Sequence, residues 1–181
     1  MSDSSLLAIY LQEYQALKAE QTARIGFRDN LLYVTLAVFG GVLSFALANQ
    51  NYYALLVIPW VCLILGWTYL VNDQKITAIG EYMRGELAEQ MAALSDRTHT
   101  EKLLGWEHAH RSDLGRRRRK LEQLIVDQST FVLSGTISIL AFWRLVSPVP
   151  GVLLALSVIE GLLLIVLGIE IVLFFAKNNG K

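Results

Sequence analysis

The sequence predicts an all-α fold: a bundle of four transmembrane helices, arranged as two antiparallel hairpins, with helices that extend into a cytoplasmic helical bundle. Three observations carry this prediction: long segments nearly free of charge, very short turns within each hairpin, and basic residues gathered on one side. Apolar residues make up 54% of the 181 positions and charged residues 18%, but their clustering is more telling than the averages. A helix needs about 20 apolar residues to cross the hydrocarbon core of a bilayer. Leu31 to Ala48, Tyr53 to Val71 and Gln128 to Trp143 contain no Asp, Glu, Lys, Arg or His, and Val149 to Ala176 is interrupted only by Glu160 and Glu170. Soluble helices of such length are seldom apolar on every face.

Taken in order, residues 1–30 read as a cytoplasmic N-terminal helix, with Leu7, Tyr10, Leu11, Tyr14 and Leu17 at helical spacing. This polar stretch carries both charge signs and lacks a basic n-region followed by a short apolar core, so no signal peptide is expected. Residues 31–71 form the first transmembrane hairpin, with spans at about 31–49 and 53–71 joined through Asn49-Gln50-Asn51. Residues 72–127 form a cytoplasmic helical region, in which Ile76, Ile79, Met83, Leu87, Met91 and Leu94 share a helical face. Within it, Ser95 to Gly105 has turn chemistry, and Arg111 to Asp127 is a basic helix bearing Leu114, Leu121, Leu124 and Ile125. Residues 128–176 form the second hairpin, with spans at about 128–147 and 150–175 joined through Ser147-Pro148-Val149-Pro150-Gly151, and 177–181 is a cytoplasmic tail. The apolar stripes outside the spans need partners, which is why they are expected to pack together below the bilayer.

Orientation follows from the cations. Of the sixteen Lys and Arg residues, all but Arg144 lie in the N-terminal segment, the central region or the tail. The positive-inside rule makes that side cytoplasmic. Tyr52, Tyr53 and Trp143 near one boundary, and Tyr33, Trp67 and Tyr69 near the other, suit aromatic interfacial belts. The single cysteine, Cys62, lies in the second span and excludes an intrachain disulfide.

Several polar groups need an account beyond topology. If the first hairpin folds about Gln50, Arg28 and Asp73 reach the same depth on adjacent helices. With Arg24 they form either an interfacial charge clamp or a contact for an anionic ligand. Glu160 is the most informative residue, because it lies roughly 13 Å into the last span at the helical rise. Ionisable groups at such depth face a protein interior or a water-filled cavity. Thr130, Ser134 and Ser138 recur every four residues on the third span, and Arg144 is long enough to reach down toward Glu160. These five residues are either interhelical glue or the lining of a polar path. Glu170 is a second intramembrane carboxylate, expected level with Asp127 and turned away from it or supplied with a basic partner.

Arg116, Arg117, Arg118, Arg119 and Lys120 form the densest cationic run and read as contacts for anionic lipid headgroups. Without interleaved aromatics the run argues against nucleic acid. His108 and His110 fall on different helix faces and have no matching Cys or His cluster, so no metal site and no cofactor are expected. Stripes suited to helix contact run through Gly40, Ser44 and Ala48 on the first span, Pro59, Cys62, Gly66, Tyr69 and Asp73 on the second, and Ser157, Gly161 and Gly168 on the fourth. Such stripes allow close helix contact within a chain or between copies, so a homo-oligomer is expected.

The strings Arg24-Ile-Gly-Phe-Arg-Asp-Asn-Leu-Leu-Tyr33, Leu65-Gly-Trp-Thr-Tyr-Leu-Val-Asn-Asp-Gln-Lys-Ile76 and Ile79-Gly-Glu-Tyr-Met-Arg84 resemble a group of small bacterial four-span integral membrane proteins. That resemblance implies a bacterial inner membrane and supplies no catalytic residues. In layout alone the chain is also similar to small four-span effectors of bacterial antiviral defence, in which a cytoplasmic signal triggers membrane disruption.

The resulting expectation is a non-enzymatic, oligomeric membrane module whose cytoplasmic helices receive a lipid, protein or small-molecule signal. The alternative is a small channel or transporter, lined by Glu160 and the hydroxyls of the third span. A lipid-modifying enzyme is a more distant alternative, since no phosphate-binding loop, zinc-protease helix or nucleophile elbow is present.

Overall fold

The computed structural model of the protein describes residues 3–94 and 115–179. Among these the regular structure is helical throughout. Helix α1 covers Asp3–Ala48, followed by a 3-10 segment at Tyr52–Leu56 and helix α2 at Val57–Tyr82. A π-helical turn at Met83–Leu87 leads into α3, Ala88–Leu94. Helix α4 covers Arg116–Asp127 and passes through a second π segment, Gln128–Leu133, into α5, Ser134–Leu145. Helix α6 spans Gly151–Asn179. Among the described residues, four helical stretches are long and apolar enough to cross a membrane: Asp3–Ala48, Tyr52–Leu94, Arg118–Leu145 and Gly151–Lys177. The turn expected over residues 95–105 and the histidines His108 and His110 lie outside the described residues.

The chain forms two compact units, Met1–Arg28 with Asn72–Arg117 and Asp29–Val71 with Arg118–Lys181. In the first, Met83, Leu87 and Met91 are buried against Leu7, Tyr10, Tyr14, Leu17, Ile79 and Tyr82. The α1 residues follow three- and four-residue steps, as two packed helices require. The partner residues Met83, Leu87 and Met91 instead step by four, which would drift off one face of a regular α-helix. The π turn takes more residues per turn and winds that drift back.

The second unit has two apolar clusters. One joins Ala46, Leu55, Ile58, Cys62, Ile139, Phe142 and Leu164, and the other joins Leu31, Tyr69, Leu70, Phe131, Leu167 and Ile171. Ser157, Glu160, Leu164, Leu167 and Ile171, spaced by three and four, form the inward face of α6. Close approach depends on glycine at two places. A Cβ on Gly66 would lie 2.8 Å from Leu167 Cδ2 and 3.0 Å from Phe131 Cγ, and one on Gly135 would lie 2.7 Å from Leu164 Cδ1. Helix α4 joins this unit from Arg118 onward, with Leu124 packed against the second cluster.

The first turn shows how α1 ends. The Asn51 amide donates to the Ala46 carbonyl at 3.1 Å, and Gln50 between them has φ 53°. This is a Schellman cap whose left-handed position ordinarily favours glycine. Gln50→Gly is therefore expected to stabilise the fold by about 0.5–1 kcal/mol. Equilibrium unfolding in detergent checks this, and an unchanged or lower midpoint would contradict the cap assignment.

Candidate functional site

The first polar constellation is built by α1 and α2 inside the first unit. Arg28 Nη1 donates to Asp73 Oδ1 at 2.8 Å. One turn earlier Arg24 Nη1 donates to Asn72 Oδ1 at 3.3 Å, while Asn72 Nδ2 donates back to the Arg24 carbonyl at 2.7 Å. Arg24 also holds Glu20 Oε1 through Nε at 2.8 Å and Nη2 at 2.6 Å. Further along the pair, Gln21 Nε2 donates to the Ile76 carbonyl at 3.3 Å and Tyr82 donates to Glu13 Oε1 at 2.8 Å. The structure thus brings Arg24, Arg28 and Asp73 into one ladder of bonds across two helices.

Both guanidiniums bind carboxylates of the same chain, so the ladder is charge-matched internally. The side chains of Arg28 and Asp73 are 21% and 27% exposed, so their bond is shielded from water enough to contribute about 1 kcal/mol. Asn72 is a member that the sequence reading passed over. The sequence offered only an amide at the end of an apolar run, next to Asp73; that it is buried and bonded to Arg24 rather than Arg28 came from the structure.

The second constellation lies in the second unit. Glu160 is 0% exposed, and neither of its carboxyl oxygens has a hydrogen-bond partner. Arg144, expected to reach it, is exposed and makes no bond to it. The reason is helical phase: Phe142 and Val146 are the inward residues of this stretch, which turns Arg144 to the opposite side. The span-three hydroxyls do not gather around the carboxyl either. Ser138 donates to the Leu55 carbonyl at 2.6 Å, tying α5 to the 3-10 segment. Ser134 donates to the carbonyl of Ser129 at 2.9 Å, a five-residue step that reflects the π segment. Thr130 is buried beside the Cys62 contact, whose thiol approaches the Thr130 carbonyl at 3.9 Å. The regular four-residue repeat was legible, but the π segment that breaks its phase was not.

Glu160 does have an aromatic neighbour. The Trp60 indole is close enough to interact with the carboxyl but makes no hydrogen bond to it. Trp60 came to light only in the structure, since nothing in the sequence sets it apart from other aromatics in an apolar run.

The remaining candidates are placed separately. Asp127 is buried and accepts Gln123 Nε2 at 2.8 Å, while Gln123 also donates to the Tyr69 hydroxyl at 2.5 Å. Glu170 is exposed, so the two carboxylates face different surroundings, and Gln128 Nε2 donates to the Gly168 carbonyl at 2.8 Å. Of the cationic run, Arg118 pairs with Glu122 at 2.8 Å on an exposed face. Arg119 and Lys120 lie on the same helix, and the backbone of Arg116 and Arg117 begins it. No group of three or more His, Cys, Asp or Glu residues able to hold a metal occurs among the described residues.

No protein-family model, curated protein or solved structure matches this chain, so the chemistry of both constellations is argued from their own geometry.

Proposed function

We propose that this chain is a non-enzymatic, self-associating module of a bacterial inner membrane, crossing it four times with both ends and the central region in the cytoplasm. Its cytoplasmic helices receive a lipid, protein or small-molecule signal, and Arg24, Arg28 and Asp73 couple those helices to the spans. The observation that carries this reading is the ladder of bonds joining α1 to α2 at residues 24–28 and 72–73. A clamp where two helices leave a bilayer keeps them moving together, so that a ligand on one part biases the other. Self-association is supported by α1, whose Gly40, Ser44 and Ala48 lie exposed along one stripe.

The unmatched Glu160 carboxyl favours a second reading, a channel or transporter that uses this residue. Single cysteines introduced into a Cys62→Ala background test the topology. Cysteines at Glu20, Lys75 and Lys177 are expected to resist an impermeant maleimide added to intact cells, while one at Gln50 reacts. Labelling of Glu20→Cys from outside would overturn the orientation. Proteoliposome ion flux that is lost in Glu160→Gln but kept in the Arg28→Ala, Asp73→Ala double variant would replace the module with the channel.

A further inference from the structure

Glu160 is a chemical mismatch that the fold leaves open. It occupies the inward face of α6 between Ser157 and Leu164, where an apolar side chain would fill the same space. A buried polar group left without a partner costs about 1–3 kcal/mol, and more when charged. Buried polar groups are nearly always satisfied, and ionisable residues within membrane spans commonly mark a substrate path, an ion path or a proton relay.

A place for that arrival lies next to Glu160. Trp60, Leu63, Ile64 and Trp67 of α2, with Leu163 and Val166 of α6, wall a groove of about 320 Å³. Small-molecule sites run from roughly 300 to 1,000 Å³. Trp60 and Trp67 are seven residues apart, which puts both indoles on one face of α2. Trp60 connects the two features: it walls the groove, which the fully buried Glu160 does not line, and its indole is within reach of the carboxyl. Ile64 is 61% exposed, so the groove opens sideways, toward hydrocarbon if these helices span a bilayer.

We propose that this groove and Glu160 together bind a lipophilic organic cation of the quaternary ammonium or phosphonium class. Indole faces attract such cations, aliphatic walls take their apolar substituents, and the carboxylate supplies the matching charge. An anion would meet a like charge there. An acyl chain would fill the groove but leave the carboxyl unmatched. The cation docks against Trp60, and rotation of that indole opens the path to the carboxylate. This site lies wholly within the second unit and does not depend on what the first unit receives.

The test uses the full chain in nanodiscs and tetraphenylphosphonium as probe, with tetraphenylborate as the control of like shape and opposite charge. Saturable phosphonium binding is expected, weakened by about tenfold or more in Glu160→Gln, with no saturable borate binding. Ile64→Trp, which narrows the groove from an exposed position without touching the core, is expected to weaken phosphonium binding by a similar factor. It therefore remains decisive if Glu160→Gln fails to fold. Absence of saturable phosphonium binding, undiminished binding in either variant, or borate binding equal to phosphonium would each overturn the proposal, the last by making the groove merely apolar.

Discussion

Gly66→Ala is expected to destabilise the second unit, whereas the same substitution at Gly40 is expected to stabilise it. At Gly66 the new methyl would sit 2.8 Å from Leu167 Cδ2, 3.0 Å from Phe131 Cγ and 3.1 Å from Phe131 Cβ. Leu167 and Phe131 are both fully buried, and Phe131 Cβ is anchored directly to its backbone. The helix can relieve the overlap only by moving away, and such overpacking costs about 1–3 kcal/mol. Alanine recovers up to about 1 kcal/mol in helix propensity, so the overlap wins at Gly66. Nothing lies within 4 Å of a Cβ on Gly40, so there the propensity gain remains. Denaturant titration of the two variants in one detergent decides the matter. Equal shifts of the same sign would mean that α2 does not pack against Phe131 and Leu167 as described. If Gly40 belongs instead to a contact between copies, Gly40→Ala would lower the oligomer fraction while leaving the unfolding midpoint of the monomer raised.

Glu160→Met is expected to raise stability by about 1–3 kcal/mol, an unusual direction for a change at a fully buried position. Methionine matches glutamate in length and unbranched shape and is the larger of the two, so no cavity opens, and its flexible chain adapts to the site. What changes is that a polar group with no partner disappears. A partnered carboxyl predicts the opposite sign. If the carboxyl bound Arg144 or Ser138, its loss would strand that partner and destabilise the chain, but neither residue bonds to it. Glu160→Gln keeps an unmatched polar group in place and should gain little. The order Met above Gln, with Gln close to the parent chain, is what thermal unfolding should return, and a Met variant less stable than the parent would sink this account. A stabilising change that also abolishes cation binding would mark Glu160 as a residue retained for function at a cost in stability.

These expectations separate what could be read from residues from what could not. The Arg28–Asp73 bond was legible because a three-residue turn leaves little freedom. Counting outward from Gln50 along two helices of equal rise brings the same depths together. Glu160 was legible as an anomaly, since a carboxylate inside a long apolar run needs no structure to stand out. Its surroundings were not. The assignment of Arg144 as its partner relied on reach alone, and the facing of α5 turned that side chain away. The hydroxyl repeat of Thr130, Ser134 and Ser138 assumed a regular α-helix, while the π segment at Gln128–Leu133 alters the phase within it. Gly40 and Gly66 look alike in sequence, each in a small-residue stripe, yet one faces open space and the other faces Phe131.

By itself, then, the sequence determined the helical character, the two short turns after Ala48 and after Leu145 and, among the described residues, the four segments apolar enough to cross a membrane. Those properties depend on local composition and spacing, which act over one helix at a time. The tertiary structure alone decided which face of each helix turns inward, which glycines are indispensable, and that the Glu160 carboxyl is left beside Trp60 without a partner. Those outcomes depend on the rotation of each helix about its own axis. A single π turn or a neighbouring bulky side chain resets that rotation, and hydrophobic pattern is nearly blind to it when every face is apolar.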